Sequence, residues 1–260
     1  MSRLGEKILV RFSRPPTVAE PHVAGAGNTV GLQLLKRAYP GFESLIKGKS
    51  IVDFGCGMGT QSLALAEAGA ARVLGLDTNL KSLNVARESL AQSAHASVVE
   101  FTDVPRPEHL GKFDIVISQN SMEHFPQPEP TVQAMARLLG PQGKLLITFG
   151  PPWYAPYGSH MRFFTSIPWV NILFSERTVM TVRGRYRKDG ALRYEECESG
   201  LNKMSIRKFE GIVASMGFMQ TYSRYDGVKG LDFLTRVPIV RELFVNHVTV
   251  ILEKKRAAAE

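Results

Sequence analysis

Apolar positions follow two periods along this chain. Five short runs are continuously apolar or nearly so: SIVDF (50–54), ARVLGLD (71–77), SVVEFT (97–102), KFDIVIS (112–118) and GKLLITF (143–149). That is the pattern of strands buried on both faces. Between them apolar residues recur at helical spacing. TQSLALAEAG (60–69) reads as a helix capped by Thr60 and stopped at Gly69, TNLKSLNVARESLAQ (78–92) as a second, and EPTVQAMARLLG (129–140) as a third ending at Gly140. Upstream, NTVGLQLLKRAYPGF (28–42) takes Asn28 as its cap and puts Val30, Leu34, Leu35 and Ala38 on one face. Downstream, SIRKFEGIVASMGF (205–218) starts at Ser205 and stops at Gly217, while FMQTYSRY (218–225) and HVTVILE (247–253) supply two closing strands. Buried strands alternating with helices predict an α/β, doubly wound, Rossmann-like fold whose mostly parallel sheet is covered on both faces.

The alternation fails in two places. Residues 1–27 are rich in proline and glycine and read as a loosely ordered lead-in, so that the domain itself is expected over 28–260. Residues 151–200 hold many aromatics, among them Trp153, Tyr154, Tyr157, Phe163, Phe164, Trp169, Phe174, Tyr186 and Tyr194, but no long periodic segment. They read as an insertion after the fifth strand, at the carboxyl edge of the sheet.

The first strand runs into VDFGCGMG, with Gly55, Gly57 and Gly59 on alternate positions. Glycines there let the backbone approach a ligand and bare the amides at the start of the next helix. The spacing departs from the G-x-G-x-x-G of dinucleotide sites, and Asp53 stands two residues ahead of the first glycine. A carboxylate at a strand end suits a cationic ammonium group better than a pyrophosphate.

This stretch resembles the first motif, D/E-x-G-x-G-x-G, of class I S-adenosylmethionine-dependent methyltransferases. Four further stretches agree in order and placement: VLGLDTN, FTDV, FDIVISQNSMEHF and LLGPQGKLLITF. The resemblance covers roughly 28–150 and 201–252. It implies seven strands closed by a hairpin, and S-adenosylmethionine as cofactor. It also implies a pocket of Asp53, Phe54, Gly55, Cys56, Gly57 and Gly59; Asp77, which would bind the ribose hydroxyls, and Thr78; Thr102, Asp103, which would meet the adenine amino group, and Val104; and Gln119 and Asn120.

Several subclasses are set aside. The Asp/Asn-Pro-Pro-aromatic motif of nucleobase amine methylation is replaced after the fourth strand by SQNS, there is no Pro-Cys nucleophile, and no Lys-Asp-Lys-Glu set is evident. What remains looks like methyltransferases of small molecules whose fourth-strand motif ends in Glu-His, here Glu123-His124. Methyl transfer to a hydroxyl profits from a general base. His160, in PPWYAPYGSHMRFF, and His124 are the candidates, and His160 is the expected base, acting without a metal. Some relatives hold a divalent cation with E-x-x-E-H and a later histidine. Here Asn120 stands where the first acid belongs, ahead of Glu123, His124 and His160, so no metal is expected.

Composition narrows the partners. Charge is +8, with 44% hydrophobic and 22% charged residues, an ordinary globular balance with some pull towards anions. The insertion is expected to act as a substrate lid, and Arg183, Arg185, Arg187 and Lys188 in RGRYRK could hold an acidic group. The expected acceptor is a small molecule methylated at oxygen: anionic, aromatic or lipid-linked. Two cysteines, Cys56 and Cys197, and the absence of a signal or spanning segment point to a cytoplasmic location, or a peripheral one at a membrane surface. The rivals are an RNA-modifying methyltransferase, although no nucleic-acid module is visible, and a protein that binds the cofactor without transferring methyl.

Overall fold

The computed structural model describes residues 2–14, 28–197, 200–238 and 240–254. Its centre is a seven-stranded sheet in the order β3-β2-β1-β4-β5-β7-β6. The strands are β1 (Ser50–Phe54), β2 (Arg72–Leu76), β3 (Val99–Thr102), β4 (Phe113–Gln119), β5 (Leu139–Phe149), β6 (Phe218–Gly227) and β7 (Val245–Lys254). The first five pair in parallel, and β7 runs antiparallel to both β5 and β6. The expected seven strands and antiparallel closing pair are present.

Alternation along the strands splits the core into two layers. Ile51, Ile115, Ile117 and Leu146 face a layer with Leu35 of α2 (Asn28–Ala38), Phe42 and Ile46 of α3 (Phe42–Ile46), Leu63 of α4 (Thr60–Glu67) and Leu83 of α5 (Leu80–Ala91). Val52, Val116, Leu145 and Ile147 face the other, with Met135 of α6 (Pro128–Leu138) and Phe209 of α9 (Ile206–Ser215). Burying both faces is what parallel strands require.

Three boundaries differ from expectation. α4 is capped by Gly59 at φ 77°, not by Thr60, because the turn out of the glycine loop demands a left-handed residue. α5 begins at Leu80, where the Asn79 side chain accepts from the amides of Lys81 and Ser82. α6 stops at Leu138 and β5 starts at once, because Pro141 disfavours helical geometry at the residue before it. Ser205 caps α9 as expected, accepting from the Lys208 amide. The side chains of 28–30, hence the cap role of Asn28 and the facing of Val30, lie outside the described residues.

The largest correction is at the N-terminus. Residues 2–11 are not loose: they form α1 (Ser2–Arg11), with Leu9 fully buried. Residues 15–27 of the expected lead-in lie outside the described residues. α1 packs on α8 (Glu176–Arg183) of the 151–200 segment. Leu9 joins Met161, Phe164, Val179, Met180 and Tyr194 in a third core, separate from the two flanking the sheet. The aromatics of the insertion thus mostly pack against one another.

Candidate functional site

The chain runs outward from β1 through β2 to β3, then returns to β4 on the other side of β1. The carboxyl ends of β1 and β4 therefore border a crevice at the switch point. The glycine loop lines it. Gly55 and Cys56 anchor their amides on the Leu76 carbonyl, at 2.8 and 3.0 Å. Gly57, at φ 53°, donates its amide to Oδ2 of Asp77 at 2.8 Å, while Oδ1 accepts from the Asn79 amide at 2.8 Å. Asp77 thus clamps the glycine loop to the start of α5, and each of its oxygens keeps a lone pair for a further donor.

Asp53 is placed differently from expectation. It is 2% exposed and turned under the loop, where Oδ1 accepts from Gln61 at 2.8 Å and Oδ2 from Ser62 at 2.7 Å. Burial pushes its pKa up to about 6, offset only in part by those two bonds. Its carboxylate shapes the loop from below instead of facing an ammonium group. Burial also pushes the Cys56 thiol up, with Asp53 and Asp77 adding to the effect, so this cysteine stays a packed thiol.

A cavity of about 680 Å³ opens above the loop. Phe54, Gly55, Asp77, Thr78, Asp103 and His124 all border it, together with Ser121 and Phe125, which no local motif singles out. Phe54 and Phe125 meet edge to face at 5.9 Å and form an apolar wall. Thr102 is not on the wall; its hydroxyl bonds the Val104 carbonyl at 3.0 Å and so shapes the turn that presents Asp103. Cys56, Gly57, Gly59, Val104, Gln119 and Asn120 also lie off the lining, so that Gly55 alone of the three glycines borders it. A side chain at Gly57 would meet nothing within 4 Å, so the loop leaves open space beside the Asp77 carboxylate. A carboxylate, bare backbone and an apolar wall around one cavity suit a nucleoside with a polar ribose and a flat base.

The two candidate histidines are neighbours, with ring centroids 5.4 Å apart and planes at 85°, but they differ in access. Nδ1 of His124 lies 2.8 Å from the Gly200 carbonyl. A carbonyl only accepts, so Nδ1 carries the proton and Nε2 is left as a bare acceptor. His160 does not border the cavity; its Nε2 is buried without a hydrogen-bond partner, and burial beside His124 drives its pKa down to about 4. The loop after β4 is pinned from the far side. Asn202 donates to the carbonyls of Met122 and Phe125, both at 2.8 Å, and takes the Glu123 carbonyl with its amide at 2.9 Å. Glu123 is itself 3% exposed, holds the Gly150 amide at 3.1 Å, and has its carboxyl pKa raised by burial.

Asn120 stands at φ 51° and bonds Nε2 of His247 at 2.9 Å and the Thr148 hydroxyl at 3.3 Å. Among the described residues, no three His, Cys, Asp or Glu side chains converge where a cation could be held. The basic run RGRYRK is committed elsewhere. Arg183 is 5% exposed and pairs with both carboxylate oxygens of Asp189, at 2.7 and 2.6 Å. Lys188 bonds the Gly184 carbonyl, and Arg187 lies over the Phe163 ring. That segment closes α8 and does not reach the cavity.

His160 yields a prediction on stability. Its folded pKa of about 4 lies below the model-compound 6.5. The unfolded chain therefore binds the proton first, and stability is lost as pH falls from about 6.5 towards 4. At pH 5 the loss is about 2 kcal/mol. Asp53 acts oppositely, its raised pKa removing stability as pH climbs from about 4 to 6. In denaturant titrations His160→Gln should thus lower the stability at pH 7 minus the stability at pH 5 by about 2 kcal/mol relative to the parent. An unchanged difference would mean that this imidazole is not buried neutral.

Comparisons with known proteins point to methyltransferases. Residues 52–147 match the family described as methyltransferase domain. The chain is 40% identical over 109 residues to a ubiquinone biosynthesis O-methyltransferase of Aromatoleum aromaticum, a match covering 40% of this chain and 44% of that protein. It is 36% identical over 114 residues to the protein of that description from Nitrosospira multiformis, covering 42% and 46%. The chain thus spans less than half the length of these curated relatives. In three dimensions it resembles an S-adenosylmethionine-dependent methyltransferase from Mesorhizobium loti, with TM-score 0.55, 17% identity, and coverage of 85% of this chain and 96% of that one. Residues 52–147 thus resemble a methyltransferase domain, and the sheet around them has the fold of a solved methyltransferase.

Proposed function

We propose that this protein transfers the methyl group of S-adenosylmethionine to an oxygen of a small-molecule acceptor, with His124 as the base that takes the acceptor's proton. The observation that carries the reading is the shared wall: His124, its Nδ1 held by the Gly200 carbonyl, and Asp77 border one cavity. When bound, the cofactor supplies an activated methyl group on a sulfonium.

The protein's own residues then have separate tasks. Asp77 would accept from the ribose hydroxyls while it keeps the glycine loop in register through the Gly57 amide. Asp103 would serve the base edge, and Phe54 and Phe125 would exclude water. The Gly200 carbonyl orients the His124 ring and stabilises it when protonated. His160 keeps the far side of that ring dry, which makes His124 the base and His160 its packing partner. Oxygen as the accepting atom is favoured by the description of the relatives as O-methyltransferases, and by a positioned imidazole that only a proton-bearing nucleophile needs. Residues 151–200 would cap the acceptor side, since Gly200 closes on His124 from that segment.

The test is turnover. The protein with S-adenosylmethionine and a panel of phenols, catechols and aliphatic alcohols should form S-adenosylhomocysteine together with a product heavier by one methyl group. Product with an intact hydroxyl and a methylated nitrogen or carbon would overturn the oxygen assignment. Cofactor binding without product across acceptors of every class would overturn the transfer.

A further inference from the structure

We propose that α1, together with α7 (Val170–Leu173), forms a docking face for an anionic lipid surface. The argument is independent of the methyl-transfer reading. Leu4, Ile8 and Phe12 are 67%, 42% and 65% exposed, and their spacing of four lines them up along one side of α1 and its end. Lys7 and Arg11, each one position earlier and also exposed, flank that line. Glu6 lies further round the helix, in a groove shared with Val10 and Arg185 whose lining also includes Lys7 and Arg11. The first turn carries no acid.

Among the described residues the outer line has no partner. The inner side of α1 is already occupied: Leu9 is fully buried, and a methyl group at Gly5 would touch Thr178 and Phe174 at 3.5 and 3.6 Å. The end of the helix is fixed as well. Ser13 bridges to Thr165, and the Arg14 amide donates to the Phe164 carbonyl at 2.7 Å. The helix is therefore held on the surface with its apolar line outward.

α7 adds exposed apolar side chains near this helix: Phe174, which Gly5 approaches, directly follows α7, where Ile172 and Leu173 are 49% and 64% exposed. The occupant follows from shape and charge. A convex apolar line edged by cations fits the boundary between headgroups and acyl chains, where apolar side chains insert and lysines and arginines meet anionic headgroups. A net charge of +8 favours the same surface at longer range. Among the described residues no helix is long and apolar enough to cross a membrane, so contact would be peripheral.

The experiment is co-sedimentation of the full chain with vesicles of phosphatidylcholine alone or containing phosphatidylglycerol. Binding should require the anionic lipid and weaken with salt. The triple variant L4S/I8S/F12S and the charge variant K7E/R11E should each lower partitioning more than about tenfold. L110S changes an exposed leucine beside the amino end of β4 and should bind like the parent. Circular dichroism and melting temperature of every variant should match the parent, because only exposed side chains change. Absence of sedimentation with anionic vesicles, or full binding by the triple variant, would overturn the proposal. So would binding confined to an acidic polypeptide such as polyglutamate, which would make this a protein-docking face.

Discussion

Replacing His124 by alanine is expected to lower kcat by about 10²–10⁴-fold, the usual contribution of a positioned general base. The expectation rests on one hydrogen bond at a residue that borders the cavity: the Gly200 carbonyl, at 2.8 Å, fixes a proton on Nδ1, so that in the neutral ring Nε2 is the atom able to take one. His124→Gln makes the test sharper. Its amide can still donate to a carbonyl but cannot take a proton at neutral pH, so kcat should fall nearly as far as in the alanine variant. Affinity for S-adenosylhomocysteine should change little in either, because the ribose and base are held by other residues. Single-turnover kinetics would check the assignment. A loss confined to KM would make His124 a binding residue. A larger kcat loss in His160→Gln than in His124→Gln would return the base role to His160.

Gly59→Ala should destabilise the fold by about 3 kcal/mol or more, lowering Tm on the order of 10 °C. Two causes add. Gly59 sits at φ 77°, where an L side chain is strained. Its missing Cβ would lie 2.8 Å from the Cβ of Ala86 and closer still to the Phe101 ring, both buried. Gly57→Ala is the internal comparison: at φ 53° it bears the strain, but nothing stands within 4 Å. It should cost only about 1–2 kcal/mol. Equal losses in a thermal melt would mean that the third glycine is needed only for its dihedral angles and not for close packing of α4 on the sheet.

How much of this was legible in the sequence varies with the range of the interaction. The sheet and its flanking helices were written in local periodicity, because each strand is buried on both faces and each helix on one. The glycine loop and Asp77 were legible for the same reason: they fall at fixed distances from strand ends. Asp53 was found, but its direction was not. The pairing of its carboxylate with Gln61 and Ser62 depends on the turn that Gly59 makes, which a string of letters does not show. The expectation of His160 as base could not take into account the carbonyl, 76 positions away in sequence, that holds the His124 ring. Gly200 and Asn202 carry no motif and could not have been singled out. Arg183 could have held an acidic group from RGRYRK, yet Asp189 six residues on pairs with both its terminal nitrogens. α1 was missed because its proline- and glycine-rich surroundings masked a short amphipathic run.

The central claim is that Asp77 and the glycine loop hold the nucleoside of the cofactor. Calorimetric titration of S-adenosylhomocysteine into the parent and Asp77→Ala tests it most directly. Charge-assisted bonds from two ribose hydroxyls are worth roughly 1.5–3 kcal/mol each. The alanine variant should therefore bind at least about tenfold more weakly, with Asp77→Asn intermediate because it keeps an acceptor but loses the charge. The melting temperature of the unliganded protein should show that the fold persists. Affinity unchanged in a folded Asp77→Ala protein would contradict the account, and would put the cofactor somewhere other than the crevice between β1, β2 and β4.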